Sequence, residues 1–260
     1  MERITGLPAL LFHRRLRGIC AGSLVLAMAM VTPPWSHVAG AVEQARTADA
    51  CSAVADSILG ASNARQLITV AAPTLRSRSA TLELFVRRGG CFRLLDGPYP
   101  AIVGANGLSS NHHEGDDTTP IGLFAIQSTM YGVSANPGVA YRYHRLVCGD
   151  WWDEQPTSAL YNHFVHLACG ARPDFGGGSE ALWATVPAYD YLAVIAYNRH
   201  PIVPGKGSAI FLHVSTGQPT TGCVSIPAAD LLRVLRALRP NMKPLIDIAT
   251  RSRRTPVVSP

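Results

Sequence analysis

The stretch His213-Val-Ser-Thr-Gly-Gln-Pro219-Thr-Thr-Gly222-Cys223-Val224-Ser225 sets a histidine ten residues ahead of a glycine-preceded cysteine. Those residue types suit a thiol nucleophile and its base. A thiol near its free pKa of about 8.5 is mostly protonated at neutral pH, so cysteine chemistry needs an imidazole to take the proton. His213 supplies one. Gly222 lets backbone come close to a substrate carbonyl, which makes the Gly222 and Cys223 amides candidates for an oxyanion site. Upstream, the apolar run from Ala209 to Val214 predicts a strand. Downstream, Pro227 suits a first helical position, and Leu231, Leu232, Leu235 and Leu238 form an apolar stripe before Pro240.

The cysteine count gives this thiol its weight. Arg3, Arg14, Arg15 and Arg17 lead into the apolar stretch Gly18 to Val31, and Ala39-Gly40-Ala41 follows. That is the layout of a secretory signal, with cleavage expected after Ala41. Arg14-Arg15 suggests twin-arginine export, but Leu16-Arg17 fits it poorly and ordinary secretion is favoured. Cys20 leaves with the signal. Five of the six cysteines then remain: Cys51, Cys91, Cys148, Cys169 and Cys223. An odd number in an exported chain leaves one thiol outside the disulfide framework, in any of fifteen arrangements. Cys223 alone sits in a glycine-preceded turn with a histidine upstream. It is read as the free thiol, with Cys51 paired to Cys91 and Cys148 to Cys169; a swapped pairing stays open.

Composition narrows the function classes. The net charge of +6 arises in residues 1–41 and in Arg251, Arg253 and Arg254, so residues 42–250 carry none. A nucleic-acid binder would show a basic face and stacking aromatics on a recognisable module, and neither is visible. Without residues 1–41 the chain has 219 residues, and 47% of the whole is hydrophobic. Both suit one large folded domain. Leu82, Leu84 and Val86 alternate along Thr81 to Arg87, and Gly89-Gly90 turns that run into Cys91 to Leu95, a hairpin pattern. Strands are also expected over Ile121 to Gln127, Tyr161 to Leu167, Tyr191 to Tyr197 and Leu245 to Ala249, and a short helix within Ala50 to Leu59. The expected fold is mainly β, a sandwich with a few peripheral helices.

These residues resemble a known family. The pattern His213-x5-Pro219-Thr220-x-Gly222-Cys223-Val224 is similar to the signature of the YkuD-type L,D-transpeptidase catalytic domain, in the branch ending Thr-x-Gly-Cys-Val. Gly104-Ala-Asn106-Gly107, Glu114-Gly115-Asp116-Asp117-Thr-Thr-Pro120-Ile-Gly122, Tyr161-Asn162, Tyr197-Asn198 and Gly207-Ser208-Ala-Ile-Phe-Leu-His213 follow in the family's order. The resemblance covers residues 80–249, after an extension over 42–79 and before a basic tail over 250–260. It implies Cys223 as the acylated nucleophile, His213 as its proton acceptor, and the Val214 backbone carbonyl as the group that orients the imidazole. It further implies cleavage of a peptidoglycan tetrapeptide stem before its terminal D-alanine, through a Cys223 thioester. An amine acceptor then yields a 3→3 cross-link and water yields carboxypeptidase activity. The implied partners are stem peptides and the cell wall, with carbapenem β-lactams as covalent inhibitors, and the implied location is secreted, periplasmic or wall-associated. Many members read Ser-His-Gly-Cys-x-Arg, where this chain has Thr220-Thr221-Gly222-Cys223-Val224-Ser225.

No cofactor motif and no recognised metal pattern is read. His112-His113-Glu114 with Asp116 and Asp117, and His163-x2-His166, are taken as solvated polar loops, because neither has zinc-ligand spacing. Glu180, Trp151 and Trp152 have two readings of equal weight, lining of a donor cleft and ordinary packing, and are left out of the site. Two other classes stay open: a catalytically weak wall-binding module, separated by thioester formation, and a metal-dependent peptidase using the histidine clusters, separated by chelation.

Overall fold

One sheet returns on itself and decides where every other element sits. The computed structural model describes residues 50–176 and 179–254. The expected secretory segment and the last residues of the basic tail lie outside the described residues. Strand β1 (Gln66–Ala72) pairs antiparallel with β2 (Ser79–Arg88), which turns at Gly89-Gly90 into β3 (Cys91–Ile102). Two-residue strands β4 (Leu108–Ser109) and β5 (Thr119–Pro120) frame a loop, and β6 (Gly122–Gly132) carries β7 (Arg142–Arg145) at its far end. A small separate sheet has the order β10 (Glu180–Ala181), β8 (Asp150–Asp153), β9 (His163–His166). Strands β11 (Leu192–Ile195), β12 (Phe211–Val214) and β13 (Val224–Ile226) run into β3 on one side, and β14 (Leu245–Thr250) lies between β1 and β6. Pairing of β11 with β6 closes the ring. The result is mainly β and sandwich-like, with the helices Ala53–Asp56 and Ala228–Ala237 at the edge.

Burial on both faces explains the apolar runs around the site. Along β12, Leu212 and Val214 enter the interior of the closed sheet with Ile68, Leu82, Leu84 and Ile248. Phe211 faces the other way, into a second cluster with Trp152, Leu182, Tyr189, Leu192 and Cys223. A strand covered on both sides reads as a nearly continuous apolar stretch. The second cluster lies between β11–β13 and the small sheet, so the small sheet forms a roof over Cys223.

The helix after β13 follows from its spacing. Leu231, Val234 and Leu235 are fully buried against the main core, each contributing about 1.5–3 kcal/mol. Pro227 sits at the N-cap, Asp230 lies in the first turn, and the chain leaves the helix at Leu238. Truncating Leu235 would therefore loosen the element that follows the nucleophile's strand.

Strands β1, β7, β8 and β13, with the two-residue strands β4, β5 and β10, lie outside the sequence expectation. β1 is buried at six of its seven positions and pairs with β14 on one edge and β2 on the other, so no alternation marks it. β8 holds two aspartates, unfavourable strand residues. Its fully buried Asp150 is satisfied by His144 Nε2 at 2.8 Å and His166 Nδ1 at 2.6 Å, partners supplied only by the fold. Both disulfides form, Cys51–Cys91 beneath the N-terminal helix and Cys148–Cys169 across the open end of the β8–β9 hairpin. Cys223 is free.

Candidate active site

The turn before Cys223 is held by its own threonine. Thr220 Oγ1 donates to the Cys223 carbonyl at 2.7 Å and accepts from the Gly222 amide at 3.3 Å, while Thr119 Oγ1 reaches the same carbonyl at 3.2 Å. Gly222 has φ +151°, and a Cβ there would lie 3.0 Å from Ile210 Cδ1 and 3.2 Å from the Thr118 carbonyl oxygen. Only glycine fits that combination without displacement. Thr-x-Gly-Cys thus encodes a turn that delivers the thiol onto the face of β12.

Cys223, the residue before β13, and His213 on the adjacent parallel strand β12 project to the same side. Leu212 pairs with Val224 and His213 with Ser225, and both Leu212 and Val224 point into the opposite core. Tyr189 spans the two: its ring is edge-on to His213 at 5.5 Å and to Phe211 at 5.6 Å, within the cluster that holds Cys223. Thiol and imidazole each bond to backbone. Cys223 Sγ donates to the Ala209 carbonyl at 3.2 Å and accepts from the Phe211 amide at 3.3 Å. His213 Nδ1 lies 2.9 Å from the Val214 carbonyl. A carbonyl only accepts, so Nδ1 carries the proton and Nε2 the lone pair.

Electrostatics favour neutral groups here. Burial pushes His213 down to about 4, against the pull of the Val214 and Ala188 carbonyls. Burial pushes the Cys223 thiol up and the Glu180 carboxyl adds to it, outweighing the Phe211 amide. At neutral pH the resting pair is a thiol and a neutral imidazole, in which the imidazole is free to accept a proton.

A pocket of about 380 Å³ opens at Cys223 and Gly222. Three elements line it: Ser208 to Ile210 from the approach to β12, Glu154 and Glu180 from the roof, and His112, Glu114 and Asp117 from the β4–β5 loop. Glu180 accepts from the Tyr189 hydroxyl, and Glu114 from the hydroxyls of Tyr161 and Ser208. Burial, reinforced by the Glu180 carboxyl, raises Glu154; burial likewise raises Glu180 against its bond from Tyr189. Both lean toward the protonated form.

Two sequence readings change. The His112 to Asp117 segment is solvated only in part: His113 is exposed, but His112 is 4% exposed, with Nδ1 2.9 Å from Asp116 Oδ1. Its burial comes from Gly207 and Gly222, distant in sequence, whose missing side chains leave room for the ring. Glu180 lines the pocket because β10 pairs with β8, setting it opposite Trp152. Sequence gives one hint of the first, the four-residue spacing of His112 and Asp116, and none of the second. Trp152 packs against Phe211, and Trp151 against Trp183 and Phe175. Among the described residues no three His, Cys, Asp or Glu side chains converge as a metal set.

A comparison with protein families matches residues 76–258 to the L,D-transpeptidase catalytic domain, YkuD. No curated protein and no solved structure matches the chain.

Proposed function

The chain belongs to the YkuD L,D-transpeptidase catalytic domain family, and from that membership we propose that it is an exported acyltransferase using Cys223 as its nucleophile. The family acts on peptidoglycan and is carbapenem-sensitive. The observation that carries the reading is the free thiol of Cys223 at the floor of a pocket, in a chain whose other described cysteines are bridged. Two disulfides also support an oxidising location, secreted, periplasmic or at the wall.

In this reading a tetrapeptide stem enters the pocket and Cys223 Sγ turns away from the Ala209 carbonyl. His213 Nε2 takes the thiol proton while the Val214 carbonyl holds Nδ1–H and fixes the ring. Sulfur attacks the carbonyl carbon preceding the terminal D-alanine, and the amides of Gly222 and Cys223 receive the oxyanion. The Gly222 amide is free for this once it releases Thr220 Oγ1, a long bond at 3.3 Å. The imidazolium protonates the departing amine and leaves a Cys223 thioester. Attack by a second stem's amine gives a 3→3 cross-link, and attack by water gives hydrolysis.

Intact-mass spectrometry of the mature protein mixed with tetrapeptide stems tests this. The expected result is a tripeptidyl adduct on Cys223, formed also by a carbapenem at the same residue and absent in Cys223→Ala. Full turnover by Cys223→Ala would overturn it.

A further inference from the structure

His112 is a second imidazole in the pocket, and its bonding fixes which nitrogen is free. Asp116 Oδ1 accepts from the Thr118 amide at 2.9 Å and the Thr118 hydroxyl at 2.7 Å, and Oδ2 accepts from the His113 amide at 3.1 Å. Burial works against the Asp116 charge, yet those bonds together hold its carboxyl below the usual carboxylate range. The single hydrogen of Thr118 Oγ1 is committed to Asp116, so Thr118 can only accept from His112 Nδ1, at 3.1 Å. Nδ1 therefore carries the proton. Nε2 has the lone pair and no hydrogen-bond partner among the described residues, on a ring that lines the same pocket as Cys223.

The ring is held in place. Tyr197 lies edge-on to it at 5.2 Å, and the Tyr197 hydroxyl sits between the carbonyls of Lys206, at 2.7 Å, and His112, at 3.0 Å. A Cβ on Gly207 would stand 2.4 Å from Nε2, and one on Gly222 3.5 Å from Cε1, so two bare backbone positions leave the room that the ring occupies. The Thr220-Thr221-Gly222 turn brings no ionisable side chain of its own. Glu154 and Glu180 lean toward protonation, and Glu114 is occupied by Tyr161 and Ser208. His112 is the histidine of the pocket lining, and its ring is oriented by Asp116 and Thr118.

We propose that His112, oriented by Asp116, is the base that deprotonates the acyl acceptor as it attacks the Cys223 thioester. The inference rests on the Cys223 acyl-enzyme proposed above. The acceptor is a primary amine or water. Its nitrogen or oxygen bonds to the thioester carbonyl carbon and passes a proton to His112 Nε2. The carbon–sulfur bond breaks with its electron pair on Cys223 Sγ, and the imidazolium's proton then returns the sulfur to the thiol. Burial keeps His112 below the ordinary imidazole value, so it enters the step neutral; Asp116 and Glu114 pull it upward, and His113 pulls it down.

The test separates the two half-reactions in the full chain, using a tetrapeptide stem as donor and an amino-bearing stem as acceptor. In His112→Ala the tripeptidyl adduct on Cys223 should accumulate, with its resolution slowed by about 100-fold and its formation by less than tenfold. Added imidazole should restore resolution. Asp116→Asn keeps the ring and removes the charge that raises its pKa, so the acidic limb of the resolution rate should move to lower pH. Resolution by His112→Ala at the wild-type rate, or equal loss of both steps without rescue by imidazole, would overturn the inference. Should His112→Ala not fold, an unmoved acidic limb in Asp116→Asn would do the same. A wild-type chain with no adduct on Cys223 defeats the acyl-enzyme reading itself.

Discussion

Cys223 Sγ donates its hydrogen to the Ala209 carbonyl oxygen, 3.2 Å away. Ala209 sits at φ +52°, a conformation that costs a side-chain-bearing residue roughly 1–2 kcal/mol. Asn162 holds it there by accepting from the Ala209 amide at 3.2 Å. The same Asn162 oxygen accepts from Trp152 Nε1 at 3.0 Å, so the roof sheet, the strained residue and the thiol form one chain of contacts. The resting nucleophile is parked on backbone, protonated and nearly enclosed.

Slow alkylation follows from that parking. Cys223 is 5% exposed and burial holds its thiol above the ordinary range. Iodoacetamide at pH 8 should label the folded protein at least about tenfold more slowly than the unfolded chain, because the thiolate is the reactive form. Peptide mapping reads both the site and the rate. Labelling faster than a free cysteine would show a resting thiolate and remove the neutral-pair mechanism.

Replacing Asn162 with alanine should damage stability and site together. Its amide also donates to the Tyr197 and Asn198 carbonyls, at 3.3 and 2.9 Å. Truncation leaves the Trp152 and Ala209 N–H groups buried without partners, which costs about 1–3 kcal/mol for each group stranded. A destabilisation of about 2–4 kcal/mol in urea is expected, with more than tenfold slower adduct formation on Cys223. Unchanged adduct formation in a destabilised variant would show that Ala209 needs no help from the roof.

How far the sequence reaches is clear from particular residues. Leu82, Leu84 and Val86 alternate, so β2 and its hairpin are legible, and the helix stripe of Leu231 and Leu235 is equally plain. β1 is not, because burial on both faces erases its period. β8 is hidden for the opposite reason, since the histidines that bond to Asp150 lie on other strands. At the site, the Thr220 to Cys223 turn is a local device and announces itself. His112 and Glu180 enter the pocket through pairing and glycine contacts that no local window contains.

Acid should weaken the fold through His213. Its folded pKa of about 4 lies below the ordinary 6.5, so between those values the unfolded chain binds a proton that the folded one refuses. Stability therefore rises with pH across that window and is lost as pH falls through it, by about 3 kcal/mol for this group. His213→Gln cannot take the proton. The stability difference between wild type and His213→Gln, measured by urea unfolding at pH 4.5 and 7, should shift in that direction; a difference independent of pH would mean that His213 titrates normally.

The two disulfides should differ in what they protect. Chain entropy ranks Cys51–Cys91, with a separation of 40, slightly above Cys148–Cys169, with 21, and each stabilises by about 3–4 kcal/mol. Position reverses that order for the site. Cys148–Cys169 clamps the hairpin that carries Trp152 and leads into Glu154, whereas Cys51–Cys91 secures a separate cluster of Ala55, Leu67, Phe85 and Phe92. The Cys148→Ser, Cys169→Ser double variant should slow carbapenem acylation of Cys223 several-fold at temperatures where it remains folded. The Cys51→Ser, Cys91→Ser pair should lower Tm with acylation within about twofold of wild type, since independent sites act additively. Equal acylation by both double variants would mean that the roof sheet holds its place without its clamp, and that the Trp152 to Asn162 to Ala209 contacts suffice to position the thiol.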